Sequence, residues 1–182
     1  MTQLKYQLDC GILSLDINKE VLPFDQLVDV AERINPKRPF LFVSKVIGRY
    51  IPTSLKTMHN IAGLLTEQIP IELLKDTKTT VISLSETALG LGALVHQNLH
   101  DNSHANLNVF TTRHRSTQEV LCGFQESHSH LPNHYIYKSS DEACNQHLFD
   151  TETLILVDDE ITTGNTLQNL YQSLSFPKVK KV

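Results

Sequence analysis

The sequence predicts an α/β protein built on a parallel sheet with both faces covered. Three observations carry this. The apolar, β-branched runs "TTVISLSE", "NLNVFTT" and "TLILVDDE" are continuous rather than alternating, as strands buried on both faces require. Two of them lead into helical patterns, "TALGLGALVHQNL" and "NTLQNLYQSL". The unusual polar residues cluster just beyond the apolar runs, where open parallel sheets bind their ligands.

The remaining elements follow in order. "KYQLDCGILSLDIN" alternates apolar and polar residues on both sides of Cys10-Gly11 and predicts a small hairpin. In "PFDQLVDVAERI", Leu27, Val28, Ala31 and Ile34 recur at helical spacing, with Pro23 and Asp25 as start signals, and predict a helix. "RPFLFVSKVIGRYIP" predicts an apolar strand opening into a basic, glycine-containing loop. Leu55, Met58, Ile61, Leu65 and Ile69 share one helical side over residues 53–69. Residues 114–150 are polar, rich in His and Ser, with few apolar residues at either period.

With 182 residues, 40% hydrophobic and 20% charged, the chain can bury one real core and carry a small appendage. A formal net charge of -4 and a pI near 6.1 argue against a nucleic-acid partner. Cys10, Cys122 and Cys144 have no ligand spacing, and "MTQLKYQLDC" has no basic-then-apolar leader. Reduced thiols and a cytoplasmic location are therefore expected. No apolar run reaches the length of a membrane span, so no membrane partner is expected.

The chemistry concentrates in "LILVDDEITTGNT", residues 154–166. Asp158 and Asp159 repel each other and cost desolvation if buried, so a strand end that keeps both has something cationic or hydroxyl-rich to hold. Thr162, Thr163, Gly164, Asn165 and Thr166 form a turn before a helix, where outward N–H groups, hydroxyls and the positive helix end make a cradle for phosphate. Gly164 supplies the φ freedom such a loop needs. The two acids can accept hydrogen bonds from adjacent hydroxyls or bind Mg²⁺ through water. A ribose 5-phosphate satisfies both halves. Helix capping alone needs one such residue rather than five. A response-regulator receiver also begins "ILVDDE", but its βαβ repeats need far more chain than follows Asp159.

This stretch resembles the PRPP-binding loop of type I phosphoribosyltransferases, in which two acids hold the ribose 2- and 3-hydroxyls and the Thr-Thr-Gly-x-Thr turn holds the 5-phosphate. The resemblance implies the type I, Rossmann-like sheet topology with a small N-terminal hood. The hood is expected over residues 1–52 (hairpin, helix, basic loop) and the core over 53–182. It further implies a Mg²⁺-dependent pentosyltransferase, active as a homodimer, that moves a 5-phosphoribosyl group from PRPP to a nitrogenous base and releases pyrophosphate. The alternative is a PRPP- or nucleotide-sensing module without chemistry.

"SETALGLG" is similar to the pyrophosphate loop of the orotate-type enzymes, with Glu86, Thr87 and Ala88 as backbone donors and Gly90 and Gly92 for close approach. "SKVIGRYIP" makes Lys45 and Arg49 candidates for pyrophosphate or base contact, and Arg113 ends its strand where the family has a basic pyrophosphate contact. Residues 114–137 occupy the slot of the flexible catalytic loop but lack its usual Lys-x-His pattern. Within it Glu126, His128, His130 and His134 are candidates for acid–base or leaving-group contacts. The alternatives for these histidines are zinc ligation through His-x-His-x3-His, or a merely polar loop.

Together, "FQESHSHLPNH" and "RPFLFVSKVIGRYIP" resemble the orotate-phosphoribosyltransferase-like branch encoded with tellurium-resistance clusters, over residues 4–182. Type I sheets place another strand after the phosphate-site helix, where this sequence reads "FPKVKKV". A fragment of a longer protein, or a very short last strand, is expected.

Replacing His128 and His130 by Ala should lower turnover at least about tenfold and leave PRPP affinity nearly intact, because the cradle is untouched. Under zinc ligation the same change would release metal and lower the melting temperature. Steady-state rates, a metal assay and a melting curve on the double variant separate the two.

Overall fold

The computed structural model describes residues 2–35, 39–101, 107–125 and 133–182. The chain divides into two compact units, residues 1–58 and 59–182.

In the first unit, β1 (Thr2–Leu8) and β2 (Gly11–Ile17) pair antiparallel across Asp9-Cys10, in a register from Thr2↔Ile17 to Leu8↔Gly11. The expected hairpin is present. The helix expected across residues 23–34 is not. One turn, α1 (Phe24–Leu27), gives way to β3 (Val28–Glu32), which pairs antiparallel with β4 (Phe40–Ser44). Val28 and Val30 are β-branched and turn inward while Asp29 faces water, so the period-2 pattern wins over the helical one. Ile34, counted in the helical stripe, is fully exposed. Phe42 meets Phe24 and Phe40 edge-on, with centroids 6.3 and 5.5 Å away.

α2 (Leu55–Glu67) forms as its periodicity predicts, although Leu55 and Leu65 are exposed and Ala62 is its buried residue. α3 (Ile71–Leu74) is a single turn leading to β5 (Thr79–Ser83). All five residues of β5 are buried. β5 is followed by α4 (Leu89–Asp101) and lies parallel between β6 (Leu107–Phe110) and β9 (Thr153–Val157) in the order β6-β5-β9. α4 sits so close to the sheet that a Cβ on Gly92 would lie 1.6 Å from Oγ of Ser83. Glycine is required there by distance.

Residues 114–150, which show little periodicity, contain three regular elements among the described residues. β7 (Val120–Gln125) and β8 (Asn133–Tyr137) form an antiparallel pair with an irregularity between Val120 and Cys122, and α5 (Glu142–Phe149) is capped by Asp141 accepting from the Ala143 N–H at 2.9 Å. Each strand offers only two or three inward residues, too few to stand out. Those residues are decisive: Cys122, Phe124 and Ile136 join Ile82, Leu84, Leu154 and Leu170 in one core cluster. Leu170 belongs to α6 (Asn165–Ser173), the helix after β9. Beyond it Lys181 forms one parallel bridge to Thr153, with the Leu154 N–H donating to the Lys181 carbonyl at 2.9 Å.

Asp150, between α5 and β9, accepts from Nζ of Lys178 at 2.6 Å and Nζ of Lys78 at 3.0 Å. Lys178 first and Lys78 next hold its carboxyl well below the ordinary value of 3.8. A depressed carboxylate pKa stabilises the fold above the ordinary value and ceases to as pH falls through the native one. Asp150→Asn should therefore flatten the acid limb of the melting-temperature profile below about pH 4 and matter least to that slope near neutrality. Thermal melts of both proteins from neutral to strongly acid pH test this.

Candidate functional site

Three loops of the second unit leave the sheet at one edge. Parallel registers put Ser83 opposite both Phe110 and Val157, so β5, β6 and β9 end level. Strands buried on both faces carry small hydroxyls but no charged side chain, and the charged groups collect where the strands stop. The loops begin at Leu84, Thr111 and Asp158. The Leu84 N–H donates to the Val157 carbonyl at 3.0 Å, and the Thr111 N–H to the Ser83 carbonyl at 3.0 Å.

After β9, Asp158 is half-buried and Asp159 exposed. Oδ1 of Asp158 accepts the Asp159 N–H at 2.9 Å, fixing the first carboxylate by the backbone of the second. Thr162 and Thr163 are exposed, and Oγ1 of Thr163 accepts the Asn165 N–H at 3.4 Å. Gly164 caps α6 with φ +76°, in the left-handed region where glycine is favoured. The Gln168 N–H donates to the Gly164 carbonyl at 2.9 Å, so the N–H groups of Thr166 and Leu167 precede the first bond of the helical ladder. Hydroxyls, a left-handed glycine and first-turn donors thus stand together, as an anion cradle requires. Two carboxylates are hard oxygen donors of the kind Mg²⁺ prefers. Among the described residues no group of three or more metal-type side chains occurs.

After β5, Ser85 is buried, the Ser85–Glu86 peptide is cis, and the Ser85 N–H donates to Oγ1 of Thr111 at 2.8 Å. Glu86 is exposed with an oxygen 3.7 Å from Nε2 of His114. Thr87 is half-buried, Ala88 wholly buried and Gly90 exposed. Gly92 makes its close approach to Ser83 of β5.

After β6, Thr111 is buried and Arg113 half-buried. Thr112 pairs with Tyr135 through reciprocal N–H···O bonds of 2.9 and 2.8 Å, joining the β7–β8 hairpin to this edge. Within residues 114–137, expected as a loop, the described residues include β7 and β8, whose Phe124 and Ile136 join the core cluster with Leu170 of α6. Nδ2 of Asn169 donates to the Gln125 carbonyl at 2.9 Å. His134 is not an open acid–base group either. It is 1% exposed, stacked on Phe124 at 4.8 Å, with Nδ1 3.2 Å from Oγ1 of Thr111. Glu126, His128 and His130 lie outside the described residues. Cys122 is buried beside Ser173, and burial pushes its thiol pKa up, so it packs rather than reacts.

Lys45 and Arg49 belong to the first unit. Nζ of Lys45 donates to the Asp25 carbonyl at 2.7 Å, and Arg49 is exposed beside Gly48, whose φ is +71°. A cleft of about 580 Å³ along β9 is lined mainly by apolar side chains, including Ile69, Leu73, Leu156 and Tyr171. Leu167 and Gln168 of α6 and Lys181 also line it, but no residue of the Asp158–Thr166 turn does. Sequence reasoning missed Ser85 and Thr111, and took His134 for an open imidazole rather than the third member of that buried group. Their only sign was that each sits within a residue or two of an apolar run.

The chain belongs to the phosphoribosyl transferase family, whose model matches residues 27–181. A comparison with curated proteins finds no match. The α/β architecture with the parallel sheet β6-β5-β9 fits that family.

A Cβ at Gly164 meets nothing within 4 Å, so the main cost of Gly164→Val is the left-handed backbone, about 1–3 kcal/mol. Ribose 5-phosphate affinity should fall about tenfold or more as the turn relaxes, while the cooperative melt persists at a lower temperature. Calorimetric titration and a melting curve on the variant check both.

Proposed function

We propose that this phosphoribosyltransferase moves a 5-phosphoribosyl group from PRPP to a nitrogenous base with release of pyrophosphate, as an orotate-type enzyme with type I topology. The observation that carries the reading is the Asp158–Thr166 segment, where a half-buried carboxylate pinned by its neighbour leads into a left-handed glycine and the first turn of a helix. The carboxylates of Asp158 and Asp159 accept the ribose 2- and 3-hydroxyls, and the Thr162–Thr166 turn takes the 5-phosphate. Backbone donors at Glu86–Ala88 and the Arg113 guanidinium receive the pyrophosphate end. Asp158 and Asp159 would also hold Mg²⁺ through water, and the ion would neutralise charge on the departing group.

In the reaction the bond from C1 to the pyrophosphate oxygen breaks, its electron pair leaves with pyrophosphate, and a ring nitrogen of the base bonds to C1. Positive charge grows on C1 and the ring oxygen as the bond stretches. The residues' contribution is to hold both ends of PRPP so that C1 faces the acceptor. Charge at the pyrophosphate end is met by fixed donors rather than reorganising water. The tellurium-resistance branch remains part of this proposal through the two segments quoted for it.

Asp158→Asn with Asp159→Asn should cut PRPP affinity on the order of a hundredfold or more, since each charge-assisted bond contributes about 1.5–3 kcal/mol. Calorimetry with PRPP and Mg²⁺ measures it, and unchanged affinity in a folded double variant would overturn the site. Pyrophosphate release in a screen of bases tests turnover. Binding without release would instead mark a sensing module.

A further inference from the structure

At the edge where the three loops emerge, one buried hydroxyl joins two elements that are distant in sequence. Oγ1 of Thr111 accepts the Ser85 N–H at 2.8 Å, donates to Oγ of Ser85 at 3.1 Å, and lies 3.2 Å from Nδ1 of His134. All three residues are at least nine-tenths buried: Thr111 is 2% exposed, Ser85 6% and His134 1%. A threonine hydroxyl has one proton and two lone pairs. With its proton on Ser85 Oγ and one lone pair taken by the Ser85 N–H, the other lone pair is left for His134, and the set closes with the tautomer that carries its proton on Nδ1. The ring is held for this by stacking on Phe124. Phe124 belongs to the core cluster, so its position is not free to drift.

We propose that His134 is a positioning residue which, through Thr111, sets the backbone of the loop that follows β5. This rests on the reading of residues 86–88 as the pyrophosphate end of the PRPP site. Ser85, which precedes them, is tied to Thr111 by its N–H, and the N–H groups that follow must be aimed within a few tenths of an ångström to act as donors. The β7–β8 hairpin supplies that aim from the side, by way of a residue that never touches the ligand. It also makes the hairpin's seating and the loop's geometry one coupled property. Whatever shifts β8 along Thr112–Tyr135 shifts the loop as well.

The test compares His134→Phe, which keeps a ring against Phe124 and removes the donor, with His134→Asn, whose amide reaches the place of Nδ1. In the unliganded protein, amide hydrogen exchange at Ser85–Ala88 should speed up about tenfold in His134→Phe and return towards the original rate in His134→Asn, while Val81 and Ile82 stay protected in both. PRPP affinity should fall about fivefold to tenfold in His134→Phe with ribose 5-phosphate affinity within about twofold, because only the pyrophosphate end is disturbed. If His134→Phe does not fold, Thr111→Val and Thr111→Ser make the same comparison at the hydroxyl. Unchanged exchange at Ser85–Ala88 in a folded variant overturns the inference, whatever the ligand data. Absence of both PRPP and ribose 5-phosphate binding in the unsubstituted protein overturns the proposed function instead, and the exchange result still decides the positioning role.

Discussion

A strand that is parallel to both neighbours and covered on both faces has nowhere to keep a polar side chain except at its ends. β5 meets this constraint with five buried residues, three of them hydroxylated. Thr80 satisfies its hydroxyl against Thr151 at 2.7 Å, inside the protein and away from any ligand. The rest of the second unit follows from that strand. α4 and the core cluster cover it, β6 and β9 take their register from it, and the three loops emerge together because the strands stop together. The site is therefore a consequence of alignment, built from segments that are individually ordinary.

Two kinds of order meet at that edge. The Asp158–Thr166 turn is local: adjacent residues, an N–H folded back on a carboxylate, a glycine in the left-handed region, a helix start. The loop after β5 is the opposite. Its conformation is held by Thr111 in the loop after β6, and through it by His134 in a hairpin. A local device tolerates change elsewhere in the fold, whereas a device assembled from three segments inherits the errors of all three. The Asp158–Thr166 turn and the loop after β5 should thus differ in how far away a substitution can be felt.

The same distinction explains what could be read from the letters alone. The Asp158–Thr166 turn was legible as a strand-to-helix turn because its residues are consecutive and Gly164 takes the left-handed conformation such a turn requires. The parallel strands were legible because burial on both faces leaves uninterrupted apolar runs. β3 was misread because Leu27, Val28, Ala31 and Ile34 satisfy a helical spacing while Val28 and Val30 satisfy a strand spacing, and the pairing with β4 that settles the matter lies outside the segment. β7 and β8 escaped because a polar hairpin needs only Cys122, Phe124 and Ile136 to join a core. His134 was grouped with its loop neighbours as a reactive imidazole, since sequence distinguishes a histidine from other residues but not a buried ring from an open one.

The contact between α4 and β5 carries a lesson about inheritance. Oγ of Ser83 is buried without a hydrogen-bond partner, and the space beside it is vacant of any side chain at residue 92. Neither position can be understood by itself. Adding a methyl group at 92 is intolerable while serine stands at 83, and becomes conceivable once residue 83 is glycine. The two positions form an epistatic pair: each limits the substitutions available to the other, and the order in which changes arrive decides whether the intermediate survives. Because α4 starts from the loop after β5, that pair also ties the evolvability of the ligand-facing edge to a spacing inside the protein that no ligand ever meets.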